Sequence, residues 1–324
     1  MINLSLLQII REANLKRAVI STFYLKKVFS NWTEIVLGIA LGRKEVKVEF
    51  RGNRTEGYCD LSCIKALTYL AMLGYDTSRF YFNNGKLYYG KTEVSQDLIS
   101  ILLIVCGFVK DKETWVYPPL NLKFKEVSWS FFEVFCLKDY DIEVKGREVV
   151  DIGAGLGDSS IWFAIKGARH VYAFEPLPDV YRVALENTKL NGLEDKITFY
   201  NAGVSSKDGE LLVPSTVDVR HSSGYVANNK GDVKVPLYSI DKIRELVKDP
   251  YLIKIDCEGC EADIIMNSSL DFEKIIMETH PRITHISNKK LLHKLEGEKY
   301  KCESLVKNYK VHKTKDLFYC YKAI

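Results

Sequence analysis

Residues 149–160 read VVDIGAGLGDSS. A β-branched, apolar run ends in glycines at alternate positions, Gly153, Gly155 and Gly157, and a helix-compatible stretch follows. Strand, tight turn and helix start are the parts that hold nucleotide-like cofactors. In the dinucleotide pattern G-x-G-x-x-G the third glycine would fall where this chain has Asp158. A carboxylate there suits the helix dipole, but it repels a pyrophosphate seated on the same N-terminus. The spacing present is D-x-G-x-G-x-G, from Asp151 to Gly157. S-adenosylmethionine has no phosphate and carries a cationic sulfonium, so carboxylates such as Asp151 favour it. The missing Cβ atoms let its amino acid end approach the main chain closely. The turn therefore points to S-adenosylmethionine ahead of a nicotinamide dinucleotide.

Working outward, residues 158–166 read as a helix and 170–174 as a second strand, which ends in Glu175-Pro176. Glu175 is placed to accept hydrogen bonds from ribose hydroxyls, a role both cofactor classes share. A helix over 179–191, closed by Asn191-Gly192, and a strand over 196–201 complete a βαβαβ alternation, which implies a parallel sheet with helices on its faces. Short strands at 210–213, 224–226 and 232–237 interrupt it. It resumes with a helix at 239–247, a buried strand at 251–256, a short helix at 261–266, a strand at 272–278 and a helix at 288–295. Two β-rich stretches, 301–307 and 317–322, suit an antiparallel hairpin. The expected fold class is α/β: a Rossmann-like class I methyltransferase sheet, mostly parallel, with an antiparallel C-terminal hairpin.

The preceding residues lack this rhythm. Helical patterns over 4–30 and 61–73, strands at 46–50, 80–82 and 86–89, and a hairpin signal at Asn83-Asn84-Gly85 indicate an N-terminal α+β extension or domain. The expected division is 1–145 and 146–324, with the boundary near 141–146.

Bulk composition adds little. A net charge of +4 over 324 residues neither demands nor excludes a polyanionic partner. The apolar run at 98–109 falls short of the roughly 20 residues that span a bilayer, and the N-terminus lacks a secretion-signal pattern. Eight scattered cysteines then suggest free, mostly buried thiols in a reducing, cytoplasmic compartment. Cys257-Glu258-Gly259-Cys260 invites a zinc or redox reading, but Cys59-x-x-x-Cys63 at a helix start is a poor second pair, and small residues after a strand explain Cys257 and Cys260. The lysines between 289 and 315 read as a solvated face, with a nucleic-acid patch as the alternative.

The stretch from Val149 to Gly192 resembles the core of FkbM-type S-adenosylmethionine-dependent methyltransferases. LIKIDCEGCE at 252–261 is similar to that family's IDxEGxE signature, and IMETHP at 276–281 to its E-x-H-P-like strand end. The resemblance covers roughly residue 147 to the C-terminus. It implies O-methylation of a sugar or other small hydroxylated metabolite, without naming the acceptor. By position, Asp151, Gly153, Ala154, Gly155, Gly157, Asp158 and Ser159 would surround the methionine end of the cofactor. Glu175 and Pro176 would lie at the ribose, and Asn201 and Ala202 by the adenine. For Asn201, capping its own turn is an equal alternative.

Ligands in such sheets lie beyond the carboxyl ends of the strands. There Asp256, Glu258 and Glu261 follow one strand, and Glu278 and His280 end the next. Methyl transfer to a hydroxyl needs orientation and often a base. His280 and Asp256 are the candidate bases, and Asp256 could equally seat the cofactor. Glu258 is a third candidate catalytic group or a stabiliser of its own turn. Structural hydrogen bonding is the alternative for each. No metal spacing is specific, although oxygen ligands would suit magnesium. Two rival functions remain: an RNA methyltransferase built on the same core, and a non-catalytic cofactor-binding module. Asp256-Cys257-Glu258-Gly259 lacks the Asn-Pro-Pro-Tyr-like sequence of base-amine methylating enzymes, and its acids disfavour a phosphate backbone.

Overall fold

The computed structural model describes residues 15–222, 231–305 and 316–323. The strand expected at 224–226, the first part of the helix expected at 4–30 and the link after residue 305 lie outside them. Two compact units divide the chain, Met1–Phe108 and Val109–Ile324.

In the first unit, helices Leu15–Val28 and Trp32–Ala40 precede the antiparallel pair β1 (Glu45–Glu49) and β2 (Glu56–Asp60). Helix Leu61–Met72 starts on Asp60, whose carboxylate accepts from the Cys63 amide at 2.8 Å, a normal N-cap. Strands β3 (Phe80–Asn83) and β4 (Lys86–Tyr89) form the hairpin announced by Asn-Gly, with Asn84 at φ 48° and Gly85 at φ 74°, as a two-residue turn of this hand requires. Strand β5 (Thr92–Glu93) pairs with β4. The apolar run at 98–109 supplies a helix, Leu98–Ile104, buried from Ile99 to Ile104. Among the described residues no helix is long and apolar enough to cross a membrane.

The second unit begins well before the expected boundary. Strands β6 (Val109–Asp111), β7 (Thr114–Tyr117) and β8 (Leu122–Phe124) form an antiparallel sheet, and a short helix, Trp129–Phe131, runs into a π-helical stretch, Phe132–Leu137. Long-range bonds place this segment here. The Asn191 side chain accepts from the Lys123 amide at 2.9 Å and donates to its carbonyl at 2.7 Å. Asn187 accepts from the Lys125 amide at 2.6 Å. Phe135 packs edge-on against Trp162, with centroids 5.5 Å apart. Contacts some 60 residues apart in sequence leave no local trace, so the division falls at 108/109.

A seven-stranded sheet dominates, in the order β11-β10-β9-β15-β16-β18-β17. Its strands are β9 (Glu148–Ile152), β10 (His170–Phe174), β11 (Ile197–Tyr200), β15 (Pro250–Ile255), β16 (Lys274–Thr279), β17 (Tyr300–Ser304) and β18 (Asp316–Lys322). The first five are parallel, and β18 inserts antiparallel between β16 and β17. This is the mostly parallel sheet with an antiparallel C-terminal hairpin that the sequence leads one to expect. Strands buried on both faces read as continuous apolar runs: Val149, Val150, Leu252, Ile253, Ile255, Ile275, Ile276 and Met277 are all 0% exposed. Each such side chain contributes roughly 1.5–3 kcal/mol of burial. From β9 the chain steps outward to β10 and β11, then returns to β15 beside β9. The reversal opens a crevice at the carboxyl ends of β9 and β15. A smaller sheet, β12 (Gly203–Ser205), β14 (Val233–Ser239) and β13 (Gly209–Val213), accounts for the pause in the alternation.

The expectation of free thiols is corrected. Cys59 is bonded to Cys63, Cys257 to Cys260 and Cys302 to Cys320, and no cysteine is free among the described residues. Cys302 and Cys320 face each other in the β17/β18 register, and Cys257 and Cys260 bracket the Glu258-Gly259 turn with Cα atoms 5.5 Å apart, within bridging range. The cysteines therefore carry no argument for a reducing compartment.

Candidate cofactor and acceptor site

The crevice holds a cavity of about 640 Å³. On one side its wall is the glycine turn, with Gly153 at φ 75° and Gly155 at φ 53°. Gly153 is demanded twice: its φ is left-handed, and a Cβ there would lie 1.8 Å from the Asp256 carbonyl oxygen. The turns after β9 and β15 thus touch backbone to backbone. Glu175 and Pro176, after β10, form the next wall. Glu175 accepts from the Gly155 amide at 3.0 Å and the Leu177 amide at 2.8 Å. Burial pushes its carboxyl up to about 7, against the pull of those amides and of Lys254.

Behind the turn lies a buried polar layer. Asp151, 0% exposed, accepts the hydroxyls of Ser159 and Ser160 at 2.7 and 2.6 Å. Its cross-strand neighbour is Lys254, whose Nζ lies 3.1 Å from Asp151 Oδ1. Asp158 opens helix Asp158–Ile165 and is itself buried. Burial pushes it up to about 7, opposed by Lys254 and reinforced by Asp151.

On the opposite side are Asp256, Glu258, Gly259 and the paired Cys257 and Cys260, with Glu278 from the end of β16. Asp256 Oδ2 accepts the Tyr140 hydroxyl at 2.8 Å. Glu258 is held at φ 53° and Gly259 at φ 127°; a left-handed residue other than glycine at a cavity wall is a costly conformation. His280 stands behind this wall. Its Nε2 is 3.4 Å from Glu258 and 4.0 Å from Glu278, and its Nδ1 is 3.2 Å from Glu261. Burial alone would lower its pKa. The hydrogen bond to Glu261 and the charges of Glu258, Glu261 and Asp256 overcome this and raise it to about 9. Near neutrality His280 is therefore an imidazolium, which does not accept a proton. Of the two candidate bases, only Asp256 is on the cavity wall.

The segment ahead of the sheet closes the cavity with Ser128, Trp129, Ser130 and Glu133, and Arg220 and Ser222 come from the other rim. Six carboxylates line the cavity, those of Glu133, Glu175, Asp256, Glu258, Asp263 and Glu278, against one guanidinium, Arg220.

Of the expected cofactor residues, Gly153, Gly155, Glu175, Pro176, Ala202 and Asp256 form the wall. Asp151, Ala154, Gly157, Asp158 and Ser159 stand behind it, where they shape the turn. Asn201 makes structural hydrogen bonds, though not within its own turn: it donates to the carbonyls of Glu175 and Pro176 after β10, at 2.9 and 3.0 Å. Two residues escaped the sequence reading, Lys254 and Tyr140. A lysine inside the apolar run Leu252–Ile255 was a usable signal. Tyr140, 116 residues from Asp256, had none. Among the described residues no group of three or more His, Cys, Asp or Glu side chains is arranged to hold a metal ion.

The site fits S-adenosylmethionine: acids surround a crevice floored by glycine main chain, and this charge balance opposes a pyrophosphate. Comparison with known proteins agrees. Residues 151–302 match the family Methyltransferase FkbM domain. The chain is 47% identical over 53 residues to the ribosomal protein L11 methyltransferase of Carboxydothermus hydrogenoformans, covering 16% of this chain and 17% of that one. It is 30% identical over 135 residues to protein arginine N-methyltransferase 6 of Xenopus tropicalis, covering 40% and 37%. A solved structure of a putative rRNA-methylase from Clostridium thermocellum aligns at 11% identity and TM-score 0.36, over 56% of this chain and 88% of that one. The first of these relatives is thus matched over 17% of its length and the second over 37%. Residues 151–302 thus match the FkbM methyltransferase domain, and the cofactor is S-adenosylmethionine.

Proposed function

We propose that this protein is an S-adenosylmethionine-dependent O-methyltransferase acting on a sugar or another small hydroxylated metabolite. The observation that carries this reading is the uncommitted oxygen of Asp256. Oδ2 is held by Tyr140, whereas Oδ1 has no hydrogen-bond partner among the described residues, and the residue lies on the cavity wall beside Gly153. A carboxylate oxygen there is suited to orient a hydroxyl and to take its proton as the oxygen is methylated. Gly153, Gly155, Glu175 and Pro176 would hold the cofactor, which when bound supplies the methyl group. Glu258 and Glu278 offer acceptors for further hydroxyls of a polyol. The protonated His280 keeps these two carboxylates together.

Six carboxylates against one guanidinium also speak against a phosphate backbone in the cavity, which sets the RNA alternative second. The same charge balance favours one other reading, a cationic nitrogen acceptor. Two relatives are named for methylating a ribosomal protein and protein arginine.

Labelled methyl transfer with Asp256→Ala and His280→Ala variants tests the proposal. Transfer to a hydroxylated small molecule should be lost in Asp256→Ala while S-adenosylmethionine still binds. Full activity in Asp256→Ala removes the catalytic assignment, and label on nitrogen replaces the hydroxyl reading with the cationic one.

A further inference from the structure

Lys254 sits at 2% exposure in the middle of β15, where Leu252, Ile253 and Ile255 pack as apolar neighbours at 0%. Packing needs no charge there, and an ammonium taken out of water costs several kcal/mol unless it is paired. Its surroundings are specific. Nζ donates to the Gly153 carbonyl at 2.8 Å and reaches the Ile152 carbonyl at 3.3 Å. It pairs with Asp151 at 3.1 Å and stands 3.9 Å from Asp256 Oδ2. The Tyr140 ring lies 5.4 Å from it, and the Tyr140 hydroxyl closes the group on Asp256. Burial opposes the charge, but Asp151, Asp256 and Asp158 together hold Lys254 protonated.

One cation therefore touches both walls of the cavity. It grips the last strand residue and the first glycine of the cofactor turn, and it faces the carboxylate that meets the acceptor. Through Asp151 it also reaches the Ser159 and Ser160 hydroxyls at the start of helix Asp158–Ile165.

We propose that Lys254 is a positioning residue that fixes the cofactor turn and Asp256 relative to one another, and that Tyr140 sets which oxygen of Asp256 is presented to the acceptor. This rests on the reading of Asp256 above for its second half only. The first half, the hold on the cofactor turn, is independent of the acceptor.

The test uses the full chain with Lys254→Met and Tyr140→Phe. Isothermal titration with S-adenosylmethionine reads the turn, and labelled methyl transfer reads Asp256. Losing a charge-assisted hydrogen bond costs roughly 10- to 100-fold. Lys254→Met should weaken S-adenosylmethionine binding by at least about tenfold. Tyr140→Phe should keep the cofactor Kd within about twofold and lower kcat by roughly 10- to 100-fold. A purely structural tyrosine would not split the two readouts in this way. If Lys254→Met does not fold, Lys254→Met with Asp151→Asn removes both buried charges together, which buried pairs tolerate. That variant should fold and still bind the cofactor weakly. Cofactor affinity at the wild-type level in the folded lysine variant overturns the hold on the turn. Unchanged kcat in Tyr140→Phe overturns the role of Tyr140. If the wild type methylates nitrogen instead, the acceptor reading fails while the affinity result still decides the lysine.

Discussion

Glu261→Gln isolates the electrostatics of the reactive edge. Glu261 is 0% exposed and accepts from the His280 amide at 2.7 Å and the Gly259 amide at 2.8 Å, besides facing His280 Nδ1 at 3.2 Å. His280 is held at about 9 against an ordinary 6.5. That gap corresponds to roughly 3.4 kcal/mol of preference for the imidazolium, at about 1.36 kcal/mol per unit. A raised folded-state pKa adds stability that is fully present below about 6.5 and lost as pH rises through about 9. Near neutrality about one molecule in a hundred carries a neutral His280. The glutamine variant removes the hydrogen bond to a carboxylate and one of the three charges that raise the pKa, so the midpoint should fall by at least about one unit. Imidazole proton NMR reads it directly, with His280→Asn assigning the resonance. Urea unfolding near pH 6 and pH 9 should show the wild type losing more stability across that window than the variant. A wild-type midpoint near 6.5 would refute the reasoning and return His280 to the role of base, and one unmoved in Glu261→Gln would refute the part given to Glu261.

Three further outcomes follow from the geometry. Gly153→Ala places a Cβ 1.8 Å from the Asp256 carbonyl at φ 75°; it should abolish S-adenosylmethionine binding and lower Tm, and calorimetry with titration checks both. Glu175 and Asp158 are both raised to about 7 by burial; the stability they add is present below about 4 and lost as pH rises through 7, and a cationic cofactor should bind better above that point and release protons. Titrations in buffers of different ionisation heat measure that release, and none at neutral pH would show that neither acid is linked to binding. Glu175→Ala should cost roughly 2 kcal/mol of cofactor affinity, as for hydrogen bonds to a charged group, without changing the acceptor KM.

Much of the second unit was legible because its signals are local. The alternate glycines, the acid after β10 and the apolar strands depend on a few neighbouring residues. Asp158 in place of a third glycine broke the dinucleotide pattern, although it stands behind the wall with its carboxyl raised to about 7. The parts that were not legible depend on distance. Asn187 and Asn191 hold β8 from another part of the chain, so the boundary moved from 141–146 to 108/109. Tyr140 meets Asp256 across the fold. The role of His280, at the end of β16, is set by Asp256, Glu258 and Glu261, which follow β15, and residue type alone suggested the opposite protonation. Cysteine spacing did not show which sulfurs would face one another. Lys254 was in plain view inside LIKID, and its meaning appears only once Asp151 is its cross-strand neighbour.

The most direct measurement is methyl transfer from labelled S-adenosylmethionine by the full chain, with small hydroxylated metabolites and glycans, total RNA and total protein offered in parallel. The account predicts label in the small-molecule or glycan fraction, carried as a methyl ether and absent with Asp256→Ala. Label confined to RNA or protein would contradict it.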